Sequence, residues 1–308
     1  MVQYKCTRWA FDLSSWSPTL PQLAQAVAVI QPEERARLLK FVFIDDFLSS
    51  LVGRLLMRKF VCTQSGLDYK DVHFARDVRG KPYWLQQKHN KCRSKLSFNV
   101  SHQGDYVVLA GMSVDAKKDS TDATADVAEN ENTISTPTFG VGVDVMKIEY
   151  SGGRYLAEFF RIMQRKFSDK EWRYIRHAQH NELQQLQAFM RHWCLKEAYV
   201  KELGVGITVD LQKISFTVDT TRELVVVGPP LTGTTLQCND TPMNEWCFEE
   251  HLLHPKYCVA IAFKNCKPDL GNFELLKIEY LLMETEKATS PEILDYCREA
   301  FKKQRRTW

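Results

Sequence analysis

The pattern of apolar positions predicts a strand and then two helices at the start of the chain. Residues 6–11 alternate weakly between apolar and polar side chains, as a strand with one buried face does. Pro32, followed by two glutamates, is typical of a helix start. A longer helix is predicted after Asp45 or Asp46, either of which can cap it, since apolar residues recur at helical spacing as far as Val61. We expect the other faces of that helix to carry three basic side chains: Arg54, Arg58 and Lys59.

Two strand-like runs and a polar segment follow this helix. Residues 96–101 and 106–113 predict a β-hairpin with a short turn between them. Residues 115–137 carry six acidic side chains against two lysines and have no aromatic residue. Such a segment buries too little apolar surface to offset its ordering entropy, so we predict a disordered linker or a long surface loop.

The second part of the chain again mixes strands and helices. Residues 138–148 are rich in Val and predict a buried strand, and residues 154–167 predict a helix. Ser168 with Glu171 forms a capping box that begins another helix. The clearest amphipathic helix covers 182–203, where Gly204 can cap its end. Four later runs read as strands and one as a terminal helix: 211–219, 223–228, 245–253 and 256–263, then 291–303.

This order of elements predicts an α+β protein with two mixed halves. Helices and antiparallel strands occur on both sides of the polar segment, which is typical of α+β domains. We therefore divide the chain into four parts: an N-terminal half, 1–114; a linker, 115–137; a C-terminal half, 138–265; and a C-terminal extension, 266–308.

Composition narrows the class of protein. The chain has 308 residues, 44% apolar and 26% charged, with a net charge of +3 that is too small to indicate nucleic acid by itself. The nine cysteines are scattered without a CxxC pair, which argues against a disulfide framework and a structural zinc site. Neither a signal peptide nor a long apolar segment is visible, so we expect a reduced, soluble protein of the cytosol without a membrane partner.

The first candidate carboxylate lies in the Val-rich strand. Asp144 interrupts a pattern that otherwise indicates burial, and a buried carboxylate is costly unless it is paired, hydrogen-bonded or bound to a metal. Gly140 and Gly142 allow another backbone or a ligand to approach the same strand closely. The alternative interpretation is an aspartate that caps or turns the strand end.

The second candidate carboxylate lies on the predicted helix 182–203. Trp193, Glu197 and Lys201 are spaced four residues apart and therefore share one face of the helix. The alternative interpretation is an ordinary surface pair of Glu and Lys beside a core tryptophan.

Two further segments carry groups that suit phosphate. Arg76, Arg79 and Lys81 surround Gly80, and cations on a glycine turn fit a phosphate-rich ligand, although a solvated basic turn has the same sequence. The pair at 101–102, Ser and His, follows an apolar strand, where it could contact phosphate oxygens. A serine hydrolase is disfavoured because adjacent strand residues point to opposite faces and the chain has no G-x-S-x-G motif.

The order of these motifs resembles the Sfp-type 4′-phosphopantetheinyl transferases, and the animal members of that family most closely. The resemblance covers about residues 8–265. It rests on four segments in one order: RGKP (79–82), FNVSHQ (98–103), GVGVDV (140–145) and WCLKEAYVK (193–201).

This resemblance implies a fold and a reaction. Two similar α/β halves are expected around a pseudo-twofold axis, with coenzyme A in the cleft between them. The enzyme would transfer 4′-phosphopantetheine from coenzyme A to a serine of an acyl or peptidyl carrier protein and release adenosine 3′,5′-bisphosphate, with Mg²⁺ as cofactor. The implied partners are apo carrier domains of the fatty-acid-synthase and aminoadipate-semialdehyde-dehydrogenase type, and the enzyme is expected to be a monomer.

The resemblance also implies roles for particular residues. Asp144 and Glu197 would bind Mg²⁺, Lys201 would contact the phosphates, and Lys201 and His102 would stabilise the leaving group. Glu197 is the candidate for accepting the serine proton. The coenzyme site would comprise Glu197 and Lys201 with a further set: Arg37, Arg76, Asp77, Val78, Arg79, Gly80, Lys81, Asn99, Val100, Ser101 and His102.

One departure and two alternatives stay open. Many bacterial relatives have an acidic residue where this chain has Met146, and a thioether is a poor Mg²⁺ ligand, so water or Gln103 would complete the site. A non-catalytic module that binds coenzyme A or another nucleotide would keep the basic turn but would not need both carboxylates. A nucleic-acid-binding protein is disfavoured by the low net charge, and the basic tail KKQRR (302–306) is interpreted as a solvated helix end or a weak targeting signal.

Overall fold

The computed structural model describes residues 4–86, 94–114, 139–150, 152, 155–204, 209–283, 285–286 and 290–306. The predicted linker 115–137 lies outside these ranges. No helix within the described ranges has both the length and the apolar character needed to cross a membrane. All eight cysteines in the described part of the chain are free thiols.

The first half of the chain builds a three-stranded antiparallel sheet with a long helix on one face. Its elements in chain order are β1 (Lys5–Asp12), α1 (Leu20–Ala28), α2 (Pro32–Leu38), α3 (Ile44–Ser65), β2 (Phe74–Arg76), β3 (Pro82–Trp84), β4 (Lys95–Gln103) and β5 (Tyr106–Val114). Strand β5 lies between β1 and β4, and the predicted hairpin β4–β5 is confirmed, with Gly104 in its turn at a φ of 55°. The predicted cap of α3 is wrong: Phe43 is the N-cap residue, and Asp45 and Asp46 lie in the first turn.

Helix α3 is buried on almost every side. One face packs on the sheet, and Leu51, Leu55 and Phe60 belong to the core of this half. The three basic side chains do lie on other faces of the helix, but those faces are covered as well, so Arg54, Arg58 and Lys59 are buried. Buried cations need partners. Arg58 donates to the carbonyl oxygens of two residues in the following loop: Tyr69 and Val72, at 2.7 and 2.5 Å.

The second half builds a matching sheet and helix. Its elements are β6 (Gly140–Lys147), α4 (Leu156–Ile162), α5 (Asp169–Ile175), α6 (Glu182–Leu203), β7 (Ile214–Thr217), β8 (Thr235–Cys238), β9 (Thr241–Pro242), β10 (Trp246–His254) and β11 (Tyr257–Lys264). The capping box of Ser168 and Glu171 is confirmed, as are the bounds of α6 and its C-cap Gly204, which has a φ of 64°. The helix predicted over 154–167 ends sooner, at Ile162.

The strand predicted over residues 223–228 is wrong. Only Val226 makes a single bridge, to Leu252 on β10. Val227 has a positive φ of 59°, and the Gly228 N–H bonds back to the Val225 carbonyl oxygen at 3.0 Å. The segment is therefore a turn, although three consecutive valines favour a strand when only composition is considered.

The two halves have equivalent topology. Read from the strand that begins each half, the sheet orders are β1-β5-β4 and β6-β11-β10, and each sheet carries a helix of 22 residues on one face. Their other faces share a core that includes Val108, Val143 and Ile261. This arrangement fits the expected α+β fold of two similar halves.

The C-terminal extension returns to the first half. It comprises β12 (Glu274–Leu276), α7 (Ile278–Leu281) and α8 (Pro291–Phe301). Strand β12 pairs in parallel with β1, and Ile293, Cys297 and Ala300 of α8 join the core around α3. The predicted terminal helix is thus present, and it covers the side of α3 that faces away from the sheet.

Candidate active site

The two halves meet at a seam between strand β4 and strand β6. Alternate side chains of β4 point at β6, as the strand period requires. Ser97 Oγ accepts the Val141 N–H at 3.3 Å, and Asn99 Oδ1 accepts the Val143 N–H at 3.0 Å. The side chains of β4 thereby satisfy backbone groups on the open edge of β6. Asn99 and Ser101, two of the expected coenzyme residues, face this seam, whereas Val100 points to the other face and packs against the core around α3.

Asp144 lies in the middle of the seam and is 5% exposed. Its Oδ1 accepts hydrogen bonds from Ser101 Oγ at 2.7 Å and from Lys201 Nζ at 2.6 Å. Lys201 Nζ also donates to Ser101 Oγ at 2.6 Å, so the three side chains form a closed triangle. Oδ2 of Asp144 is buried and accepts no hydrogen bond from the described residues. A buried carboxylate oxygen without a donor is costly, which marks this atom as a ligand position.

Glu197 is brought to Asp144 by the close packing of α6 on β6. A Cβ atom added to Gly142 would lie 2.1 Å from the Ala198 carbonyl oxygen, so only glycine allows this approach. Burial raises the pKa of Glu197, and the negative charge of Asp144 raises it further, while Lys201 and Lys166 act in the opposite direction. Two carboxylates that repel each other in a partly buried place are typical of a divalent cation site.

The donor set fits Mg²⁺ through two carboxylates. In the described part of the chain, no group of three or more His, Cys, Asp or Glu side chains is placed to hold a metal. Met146, two residues after Asp144, packs its side chain against the core around α6. Gln103 Oε1 accepts the Lys147 N–H at 2.6 Å, so this amide oxygen is engaged in the seam.

His102 lies at the open side of this cluster. It points away from the seam, on the face of β4 opposite to Ser101, and its side chain is exposed. Desolvation nevertheless lowers the pKa of His102, and the charge of Lys201 lowers it further, while Asp46 on α3 works to raise it. At neutral pH the imidazole is therefore a neutral hydrogen-bonding group rather than a cation.

A pocket of about 280 Å³ lies between α2 and the β2–β3 hairpin. Arg37 of α2 and Arg76 of β2 line it together with Phe74 and Glu34. Burial lowers the pKa of Arg76, and the neighbouring Arg37 lowers it further. Two arginines at one pocket, one of which destabilises the charge of the other, favour an anionic ligand.

The other two cations of the predicted basic turn, Arg79 and Lys81, contact the end of α6 and do not line this pocket. Arg79 donates to the Leu203 carbonyl oxygen and Lys81 Nζ to the Glu202 carbonyl oxygen, both at 2.9 Å. These are carbonyl groups at the C-terminal end of α6, where cations are favoured by the helix dipole. The Asp77 side chain accepts the N–H groups of residues 79 and 81, each at 2.9 Å. The turn therefore holds the end of the helix that carries Glu197, and Val78 at its tip is fully exposed.

Three residues at the site were not among the expected set: Glu34, Arg54 and Lys166. Arg54 is buried beneath the pocket, with its Nε 3.3 Å from Glu34 Oε1, and burial lowers the pKa of Arg54 while Glu34 works to raise it. Lys166 acts on Glu197, as described above. The spacing of Arg54 and Arg58 on one helix face was a usable signal, because two cations one turn apart imply an acidic partner.

The comparisons with known proteins agree with this arrangement. Residues 14–114 match the N-terminal family of 4′-phosphopantetheinyl transferases, and residues 140–262 match the 4′-phosphopantetheinyl transferase superfamily. The L-aminoadipate-semialdehyde dehydrogenase-phosphopantetheinyl transferase of Rattus norvegicus is 35% identical over 262 residues, which are 85% of this chain and 75% of the relative. The protein of the same name from Xenopus laevis is 33% identical over 287 residues, 90% of this chain and 85% of the relative. A phosphopantetheinyl transferase of Thraustochytrium sp. is 32% identical over 265 residues, 85% of this chain and 79% of the relative.

The chain belongs to the 4′-phosphopantetheinyl transferase family. It is an enzyme that transfers 4′-phosphopantetheine to carrier proteins, and coenzyme A is the substrate that this family uses as donor.

Proposed function

We propose that Asp144 and Glu197 bind a catalytic Mg²⁺ ion between the two halves of the chain. The observation that carries this proposal is the buried Oδ2 of Asp144, which has no donor among the described residues, beside a Glu197 whose pKa is raised by burial and by Asp144. Ser101 and Lys201 occupy Oδ1 and so leave Oδ2 available. When bound, Mg²⁺ supplies positive charge for the pyrophosphate of coenzyme A.

In the proposed reaction the carrier serine oxygen attacks the β-phosphorus of coenzyme A. A new oxygen–phosphorus bond forms, the bond to the bridging oxygen breaks, and adenosine 3′,5′-bisphosphate leaves. Glu197 accepts the serine proton, for which a carboxylate with a raised pKa is the stronger base. Lys201 neutralises charge on the leaving phosphate, and His102 donates a hydrogen bond as a neutral imidazole.

The remaining expected residues divide into two groups in this proposal. Arg37 and Arg76 bind the adenosine end of coenzyme A, including its 3′-phosphate, in the pocket that they line. Asn99 and Ser101 hold the seam in register beside the reacting groups, and residues 77–81 fix the end of α6.

The proposed carriers are apo domains of the aminoadipate-semialdehyde-dehydrogenase and fatty-acid-synthase type. The names of the animal relatives support the first of these. The proposed enzyme is a monomer, because the seam and both carboxylates come from a single chain. We also propose a cytosolic location, which rests on the scattered cysteines of the sequence.

The test is transfer of phosphopantetheine from coenzyme A to a purified apo carrier domain, followed by mass spectrometry of the carrier. Asp144→Ala and Glu197→Gln should each slow the transfer by about 100-fold or more, since each removes a ligand for the ion. Glu202→Gln is the matched control, because it removes another carboxylate of α6 that packs against Gly140 rather than Asp144. Circular dichroism and thermal melts would establish that all three variants fold. Wild-type transfer rates in both Asp144→Ala and Glu197→Gln would refute the metal assignment.

A module that binds coenzyme A without catalysis is the competing function. It would show coenzyme A binding by calorimetry and no mass increase on any carrier offered, whatever the Mg²⁺ concentration.

A further inference from the structure

The basic tail at the end of the chain, residues 302–306, does not behave as a solvated helix end. Lys303 Nζ donates to the carbonyl oxygens of Leu39 and Phe41, at 2.8 and 2.5 Å. These carbonyl groups follow α2 directly, where a helix leaves its last acceptors without intrahelical donors. Lys303 therefore acts as a C-terminal cap of α2, supplied from more than two hundred residues further along the chain.

The same tail also holds the start of α3. The Ile44 N–H donates to the Gln304 carbonyl oxygen at 2.9 Å, and Phe43 and Gln304 form a parallel bridge. This bond matters because α3 has no side-chain cap of its own. Arg306 extends the contact: its guanidinium donates to both carboxylate oxygens of Asp46, at 2.9 and 2.7 Å, and it lies over the Phe43 ring.

Helix α2 needs such support because it is short and little buried. It has seven residues, of which only Glu34 and Leu38 are buried, and isolated helices of that length are unstable in water. Helix α8 adds a bond from the Tyr296 hydroxyl to the Arg35 carbonyl oxygen at 2.7 Å. Yet α2 supplies Arg37 and Glu34 to the pocket opposite Arg76.

We propose that the basic tail is a positioning element for coenzyme A: Lys303 and Arg306 fix the α2–α3 corner and thereby hold Arg37 against the pocket. This inference rests on the proposed role of Arg37 and Arg76 in binding coenzyme A. The tail touches neither the metal carboxylates nor Lys201 in the contacts of the described residues. Its one indirect link to the reacting groups is Asp46, the partner of Arg306, whose charge acts on His102. Loss of the tail should therefore weaken coenzyme A binding and change the chemical step much less.

The test compares two full-length double variants that remove the same charge from the same segment. In the first, Lys303→Met with Arg306→Gln removes both contacts. In the second, Lys302→Met with Arg305→Gln removes two cations whose side chains are exposed and lie outside the corner. Steady-state transfer would be measured with coenzyme A varied at saturating carrier, and then with carrier varied at saturating coenzyme A.

The first double variant should raise the KM for coenzyme A by about fivefold, with kcat within about twofold of wild type and the carrier KM unchanged, because a small displacement of Arg37 weakens a ground-state contact. The second should leave all three constants unchanged. Lys303→Arg keeps donors for the two carbonyl groups and should stay near the wild-type KM. Equal rises in both double variants would overturn the inference, since net charge would then explain them, and so would a fall in kcat with an unchanged KM.

The Arg37→Ala variant tests the proposed coenzyme A site separately from the role of the basic tail. A raised coenzyme A KM in Arg37→Ala together with a normal KM in the Lys303–Arg306 variant would overturn the role of the tail alone. A normal KM in Arg37→Ala would overturn the coenzyme-site assignment and the role of the tail with it.

Discussion

At the scale of single residues, the site depends on how one lysine divides its hydrogen bonds. Lys201 Nζ lies 2.6 Å from both Asp144 Oδ1 and Ser101 Oγ, so two of its three N–H groups hold the seam. The third N–H group makes no hydrogen bond to the described residues, and in the proposed reaction it donates to a phosphate oxygen. An arginine would not be an equivalent replacement here, because its guanidinium is a planar fork whereas the lysine ammonium is a compact point charge.

The pH dependence of transfer follows from Glu197. Burial and Asp144 raise its pKa above the ordinary value of 4.5, and a protonated carboxylate neither binds a cation nor accepts a proton. As pH is lowered, activity should therefore begin to fall at a higher pH than the ordinary carboxylate pKa would give. Higher Mg²⁺ should move this acid limb to lower pH, because metal and proton compete for the same oxygen atoms.

Lys166 provides the control for that assignment, because its positive charge lowers the pKa of Glu197. Lys166→Gln should move the acid limb to higher pH, and Lys166→Arg should leave it in place. Profiles of kcat/KM against pH at two Mg²⁺ concentrations would check both statements. If neither the Lys166 variants nor the Mg²⁺ concentration moves the acid limb, another group titrates there.

At the scale of elements, α6 is fixed by a residue that stands next to Glu197 in sequence. Lys196 and Glu171 are both fully buried, and their charged atoms lie 2.9 Å apart. Lys196 also donates to the carbonyl oxygens of Leu211 and Ile214, while Glu171 accepts the Phe216 N–H. One ion pair thus joins α5, α6 and the start of β7 next to the proposed metal ligand Glu197.

Glu171→Gln should destabilise the protein by about 3–5 kcal/mol, since it leaves the Lys196 ammonium buried without its counter-ion. Burial lowers the pKa of Lys196, so part of this cost would be met by loss of its proton. Lys213→Gln breaks an exposed pair with Asp210 and should cost less than about 1 kcal/mol. Urea unfolding of both variants would measure the difference. Equal costs would show that the buried pair contributes no more than a surface one.

Local signals made some of these elements predictable from sequence. The bounds of α6 and the capping box at Ser168 depend on contacts within a few residues, so both can be predicted from the sequence pattern. The burial of Arg54 and Arg58 depends on residues outside α3, since both face Glu34 of α2 and Arg58 also contacts Tyr69, Val72 and Phe74. Likewise, Asn99 could be placed near the site, but its part in the seam depends on which strand lies opposite β4.

At the scale of the whole molecule, the equivalent topology of the halves creates a second seam. Strands β1 and β10 correspond to β6 and β4, and side chains of these two strands join the halves at a second place. Here the junction is a buried ion pair: Arg8 donates to both oxygens of Glu249, each at 2.7 Å. His251 bonds Glu249 at 3.2 Å. Asp144 keeps one oxygen that accepts no hydrogen bond from the described residues, whereas both oxygens of Glu249 accept hydrogen bonds, so the proposed cation site belongs to the first junction.

The second junction should make the stability of the whole molecule depend on acid. Burial works against ionisation of Glu249, but the hydrogen bonds from His251 and Arg8 outweigh it, so the pKa of Glu249 stays below its ordinary value of 4.5. A depressed pKa stabilises the folded state fully above the unfolded value, and this stabilisation is lost as pH falls through the folded value. Glu249→Gln should cost about 3 kcal/mol near neutral pH, where Arg8 loses its counter-ion. Wild-type stability should then decline more steeply than that of Glu249→Gln on acidification, so the gap between them narrows. Urea unfolding from about pH 7 down to about pH 2 would measure that gap through the folded pKa, and a gap independent of pH would rule out Glu249 as the titrating group.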